Sequence, residues 1–363
     1  MLTRREFGRA ALVAGAVLAL PARGQTGGQV GGWQKLATEL YRGKQDDIAF
    51  VTPDIGWYGN GKGKLFRTTD GGMNWTKVAE RPGTFIRALG FIDGKTGFIG
   101  NVGTDYYPGV TDKQPLYRTD DGGVSWTAVT ADGLDKVAGI CGIDVLPVTR
   151  VFQGEARQTH IIHAAGRVGG PAMLMTSLDA GATWEVTDLS AQAGMILDVK
   201  FLDASTGFIA AATDSDVEKA QALILRTTDG GKTWAAVYRG TRGFENVWKM
   251  SWPSRRIGYA TVQSYNPAPK NTRRVIVKTT DGGKSWKEVA LVDAPAVQQF
   301  GIGFLDDKRG WVGCRAGGYE TRDGGKSWAP VAFGAAVNKI RVVRDATRTR
   351  VFAIGADVYR LDV

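Results

Sequence analysis

The octet Thr279-Thr280-Asp281-Gly282-Gly283-Lys284-Ser285-Trp286, "TTDGGKSW", decides how the rest of the chain is read. Near-copies end at Trp75, Trp126, Trp184, Trp234 and Trp328, so the six tryptophans lie 51, 58, 50, 52 and 42 residues apart. A repeat of that length is one four-stranded blade of a β-propeller. A short β-type run precedes each copy, such as "ALILR" at 222–226, and another follows, such as "WTKV" at 75–78. The octet is therefore a hairpin turn. Its aspartate accepts hydrogen bonds from nearby turn amides, and its glycines take positive φ without a steric cost.

A second segment recurs between octets. "GFIDGKTGFIGN" (90–101), "KFLDASTGFIAA" (200–211) and "GFLDDKRGWVGC" (303–314) each close one strand, turn, and open another with Gly and an aromatic ring. Residues 141–172 depart from this pattern and read as an insertion. Each unit is thus strand, turn, strand, loop, strand, octet, strand. After Trp328 only three strands remain, "KIRVV", "RVFAIG" and "DVYRLD". The missing fourth is "GWQKL" (32–36), with Trp33 in the tryptophan position. Pairing the two chain ends in one blade closes a ring of seven and leaves no free edge. The expected architecture is all-β, one seven-bladed propeller over residues 25–363.

Composition agrees. The 363 residues are 43% hydrophobic, with 50 glycines and 12 prolines, which suits a large core and many turns. Residues 1–24 read as a cleavable export signal, with a basic start, the apolar run 10–20 and small residues after it. Arg4-Arg5 followed by Glu6-Phe7 resembles the twin-arginine motif, with Gly8 where a leucine is usual. The expected location is therefore the periplasm. The net charge is +10; removing four arginines and one glutamate of the signal leaves +7 (10 − 4 + 1). The basic residues are scattered, which argues against a nucleic-acid partner. Cys141 and Cys314 fall on blades far apart in the ring and are expected not to pair.

The octets, with the pattern Ser/Thr-x-Asp-x-Gly-x-Thr/Ser-Trp, match the Asp-box or BNR repeat. Together with the intervening segments, the chain from Trp33 to Val363 resembles the photosystem II stability/assembly factor family and its bacterial relatives. That resemblance implies a seven-bladed, non-catalytic assembly factor. Asn74 and Ala180 depart from the octet pattern. Asp70, Asp121, Asp179, Asp229, Asp281 and Asp323, with Trp75, Trp126, Trp184, Trp234, Trp286 and Trp328, are structural positions in this reading. "GGKS" is no phosphate loop, because a strand follows it where a helix is needed. One aspartate per blade cannot supply the six to eight oxygens of a calcium site. His160 and His163 are three apart on a strand, so they face opposite ways and share no metal. No cofactor or metal is expected.

Function is expected on the long connections away from the octets, at 101–115, 211–222, 238–248 and 262–274. These carry Tyr106, Tyr107, Arg239, Arg242, Phe244, Tyr265, Arg273 and Arg274 as candidate partner-binding residues, since Arg and Tyr serve well as interface anchors. The inner strands carry Arg87, Asp198, Lys249, Lys339 and Arg341, read as a mixed-charge channel and not as a site. The expected partner is a protein, membrane-bound proteins included, and the chain is expected to be a monomer. A glycan ligand or a sialidase-like glycoside hydrolase is the rival. Sialidases need an arginine in a Phe/Tyr-Arg-Ile-Pro motif, which is absent here, although loop aspartates such as Asp105 and Asp214 leave a carboxylate pair open.

Overall fold

The computed structural model describes residues 32–266 and 273–363. Residues 1–31, which include Arg4, Arg5 and the stretch read above as an export signal, and residues 267–272 lie outside the described residues. Seven four-stranded antiparallel sheets form a seven-bladed propeller. The inner strands of blades 1 to 7 are Gln45–Phe50, Ile86–Phe91, Gly142–Phe152, Met195–Phe201, Glu245–Ser251, Gln299–Phe304 and Lys339–Arg344. In blade 7 the order inward is Gln34–Leu36, Val358–Asp362, Thr349–Ile354, Lys339–Arg344. Gln34 pairs with Arg360 and Leu36 with Val358, so the chain ends close the ring as expected. Trp33 is 2% exposed and meets Trp311 and Phe333 of blade 6 edge-on, at 5.4 and 5.0 Å.

The octet carboxylates are spent on their own turns. Asp281 takes the Thr279 hydroxyl on one oxygen at 2.8 Å and the Ser285 hydroxyl on the other at 2.6 Å. The N–H groups of Lys284 and Ser285 complete its shell. Asp121, Asp179, Asp229 and Asp323 repeat the arrangement, and Asn74 stands in for the hydroxyl at Asp70. Ala180 occupies a glycine position at φ 59, a left-handed conformation that a side chain disfavours. The octet tryptophans are mostly half-buried, with edges against phenylalanines; Trp234 meets Phe201 at the end of an inner strand, and Trp184 meets Phe98 on a second strand.

The Gly-aromatic segment builds the seams between blades. Trp57 of blade 1 stacks on Phe91 of blade 2 at 3.6 Å, His163 of blade 3 on Phe201 of blade 4 at 3.5 Å, and Tyr259 of blade 5 on Phe304 of blade 6 at 3.5 Å. Phe352 of blade 7 stacks on Phe50 of blade 1 at 3.7 Å. The glycine is there because the same ring lies over it. A Cβ on Gly97, Gly207 or Gly310 would press into the ring of Phe91, Phe201 or Phe304, 2.5 Å away in the case of Gly207. Each ring is thus held between its own blade's glycine and the preceding blade's aromatic side chain.

The stretch 141–172 is not an inserted loop. Gly142–Phe152 and Glu155–Gly166 pair residue for residue, so blade 3's inner hairpin is simply longer than the others. Antiparallel order puts its tip, Gln153-Gly154, on the octet face. Cys141 and Cys314 are buried and unpaired.

Candidate functional site

Five of the seven inner strands carry a register shift near the same height, at Gln45/Asp47, Ile86/Ala88, Ile196/Asp198, Val247/Met250 and Gln299/Ile302. A bulge inserts a residue and re-aims the side chains beside it. The residues at these bulges, Asp46, Arg87, Leu197, Trp248, Lys249 and Phe300, line the channel or its upper closure.

On the face away from the octets the channel is closed. Tyr106 and Tyr107, 7% and 8% exposed, join Phe85, Trp248 and Phe300 in one apolar cluster, and Tyr265 packs against it. Tyr107 stacks on Phe85 at 4.5 Å. The loop is drawn inward by Asn101, whose amide nitrogen donates to the Asp112 and Gln114 carbonyls. Burial holds both phenols well above their ordinary range. These two tyrosines, expected on a rim, are built into the plug.

The other rim candidates divide. Arg274 is 6% exposed and donates to the carbonyls of Val297 and Pro295 at 2.9 and 2.5 Å. Arg242 bridges Glu245 and Glu288, each at 2.7 Å. Phe244 is half-buried at φ 63, and its carbonyl accepts the Tyr265 N–H. Arg239 and Arg273 are exposed. Of the loop carboxylates, Asp105 is exposed 4.0 Å from Arg167, and Asp214 accepts the Asp216 N–H within its own turn.

The channel itself is an ion-pair network. Asp47 is fully buried; it accepts the Leu89 N–H of blade 2 at 2.7 Å and pairs with Lys339 and Arg341 of blade 7. Burial acts to raise its pKa, but the two cations outweigh it and the net shift is downward. Asp198 accepts the Met250 N–H at 3.1 Å and pairs with Lys249 at 3.4 Å. Asp144 accepts the Phe201 N–H at 2.8 Å and the Lys200 ammonium at 2.6 Å. These acids clamp one blade to the next. Burial lowers the Lys249 pKa, and brings Lys339 down to about 7. The sequence reading singled out five channel residues and missed Lys44, Asp46, Asp47, Asp144, Lys200 and Arg344. One signal was available: Asp followed by Val or Ile recurs at 47–48, 144–145 and 198–199.

At the octet face the channel opens into a cavity of about 280 Å³, bordered by Asp144, Asp198, Lys200, Trp252, Arg341 and Arg344 among others. Its two carboxylates are already committed. Arg341 shares Asp47 with Lys339, and Arg344 donates to the Leu305 carbonyl. The mouth therefore carries more cationic charge than its acids offset, in a polar opening.

Comparison with known proteins places this geometry. No family model matches the chain. A xyloglucanase, Xgh74A of Acetivibrio thermocellus, is 27% identical over 234 residues, which is 55% of this chain and 24% of that protein. The chain thus spans about a quarter of the length of that curated relative. A solved structure of YCF48 bound to D1 peptide superposes with a TM-score of 0.61 at 16% identity, covering 97% of this chain and all of that one. The GH74 xyloglucanase of Xanthomonas campestris gives 0.60 at 15% identity, over 90% of this chain and 53% of its own. By its fold, this chain is a seven-bladed propeller that resembles the YCF48 photosystem II assembly factors and shares its architecture with GH74 enzymes.

Proposed function

We propose that this chain is an exported, non-catalytic accessory factor that binds an acidic, extended segment of a protein partner at the octet-face mouth of its channel. The observation that carries this reading is the surplus cationic charge of Arg341 and Arg344 in an open polar mouth, while the opposite end is sealed by Tyr106, Tyr107 and Trp248. A carboxylate entering the mouth would give each guanidinium a further charge-assisted partner, a gain that a partly desolvated site enhances. A propeller of the same fold, YCF48, has been solved with a peptide bound. Export rests on residues 1–24 and the Arg4-Arg5 pair.

The test is fluorescence anisotropy with labelled decapeptides of graded acidity. Acidic peptides should bind, binding should weaken with salt, and Arg341→Glu/Arg344→Glu should abolish it, with circular dichroism checking that the variant is folded. Equal binding by wild type and variant would remove the mouth from the reading.

A glycan-directed reading is favoured by the xyloglucanase relative. Against hydrolysis at the mouth, Asp144 and Asp198 each hold a backbone N–H and a lysine, which leaves neither free as a general acid or nucleophile. Release of reducing ends from xyloglucan by homogeneous protein would favour the hydrolase.

A further inference from the structure

The inner hairpin of blade 3 runs on past its own sheet. Gly142–Phe152 and Glu155–Gly166 pair without a register shift out to Phe152 and Glu155, whereas the next strand, Met173–Ser177, reaches only as far as Ile162. The remainder is a two-stranded ribbon projecting from the octet face. It closes at Gln153 and Gly154, whose φ values of 50 and 83 suit the tight turn of a hairpin. Residues 153–159 are all exposed. A two-stranded ribbon in water is only marginally stable by itself, and further strands strengthen it.

Its two edges differ. The His160 carbonyl accepts the Ala180 N–H from outside the hairpin at 3.1 Å. Backbone groups alternate sides along a strand, so those of Ala156 and Gln158 also point outward, and no strand lies beside them among the described residues. By the same count Pro147, opposite His160, faces the other edge, which its missing N–H blunts. The outer edge, 155–159, has no proline, lysine or bulge, and a regular exposed edge is a template for another strand.

Two copies related by a two-fold axis pair antiparallel, and their charges select the register. Setting Ala156 against Ala156 brings Glu155 of each copy opposite Arg157 of the other, and Gly154 opposite Gln158. The neighbouring registers oppose Glu155 to Glu155 or Arg157 to Arg157, which is destabilising. Within one copy Arg157 faces Arg150 across the ribbon and shares Glu155 at 3.0 Å, so a second carboxylate on its far side is favourable. On the other face Val151, 72% exposed, lies opposite Ala156, so Val151–Ala156–Ala156–Val151 would form one apolar row across four strands. The second copy's turn then ends beside Gln158, short of the His160 carbonyl that Ala180 already occupies.

We propose that this ribbon joins two copies of the chain into a dimer through a four-stranded sheet, in place of the monomer expected from the sequence. The contact uses neither Arg341 nor Arg344, so it stands independently of the peptide reading. It belongs at the small end of interface sizes, and association should fall in the micromolar range.

The test is sedimentation velocity of the purified protein from about 1 to 300 μM, where a monomer–dimer equilibrium should appear. Glu155→Arg and Arg157→Glu should each weaken the homodimer about ten- to thirtyfold, because each sets like charges across the two-fold axis. Mixed in equal amounts, the two variants should associate about as tightly as wild type, since every facing pair is again of opposite charge. Gln158→Pro removes an outward N–H while leaving the hairpin's own ladder intact, and should abolish the dimer, with circular dichroism checking the fold. A protein monomeric throughout that range, charge variants that dimerise like wild type, or a mixture that fails to associate would overturn the proposal.

Discussion

Lys35, in the first strand of the ring, lies opposite Tyr359 in the last, and its ammonium pairs with Asp357 at 2.7 Å. The closing strand is only three residues long, so its hold depends on what flanks it. Trp33 supplies that anchor, buried between blades 6 and 7 against Trp311 and Phe333. Trp33→Ala should cost about 3–5 kcal/mol, the usual range for emptying a large aromatic site. Urea unfolding would read it. The strand Val358–Asp362 would also be left with an exposed edge, so the variant should self-associate in light scattering.

Gly207 shows how tightly the seams are packed. A methyl group there meets the Phe201 ring, which is itself stacked on His163 and cannot retreat without breaking that contact. Gly207→Ala should destabilise by about 1–3 kcal/mol through overpacking. At Gly109, where φ is 84 and nothing lies within 4 Å of an added methyl group, alanine should cost only the backbone penalty of positive φ. Paired urea titrations of the two alanine variants check the difference.

Two sets of groups should respond to acid in separate windows. His163 is buried on Phe201, and desolvation lowers its pKa from 6.5 to about 4. The unfolded chain takes up its proton first, so stability from this residue is present above pH 6.5 and lost as pH falls toward 4. His163→Phe keeps the stack and should flatten that part of the pH–stability curve. Asp121 and Asp229 are held at about 2, chiefly by hydrogen bonds from Ser125 and Thr233. Their depressed values stabilise above the ordinary carboxylate pKa and lose that effect between about pH 4 and 2, so the final acid transition should persist in His163→Phe.

The candidate arginines on the upper face should separate by burial. Arg274→Glu places a carboxylate against two carbonyls and should destabilise by more than about 3 kcal/mol. Arg239→Glu, at an exposed position, should fall within about 0.5 kcal/mol of wild type. Thermal unfolding of the two variants side by side checks both.

The blade count and the ring closure were legible because the signals are local. An octet needs only Asp, two glycines, a hydroxyl and Trp within eight residues, and Trp33 repeats the last of them. The channel was less legible. Strand alternation predicts one residue in two facing inward, but the bulges at Asp46, Arg87 and Lys249 break that count just where the charged groups lie. Tyr106 and Tyr107 sit in a long polar loop that reads as surface. The Asn101 hydrogen bonds to Asp112 and Gln114, joined by register and not by sequence proximity, fold that loop over the channel.

The most direct measurement is site-specific photo-crosslinking of the protein in its own cells, with a benzophenone amino acid at Pro253 in the octet-face mouth or at Arg239 on the opposite face. The account expects a discrete crosslink from position 253, mapped by mass spectrometry to an acidic stretch of one protein and lost in Arg341→Glu/Arg344→Glu. Crosslinks confined to position 239, or a product at 253 indifferent to those two arginines, would contradict it.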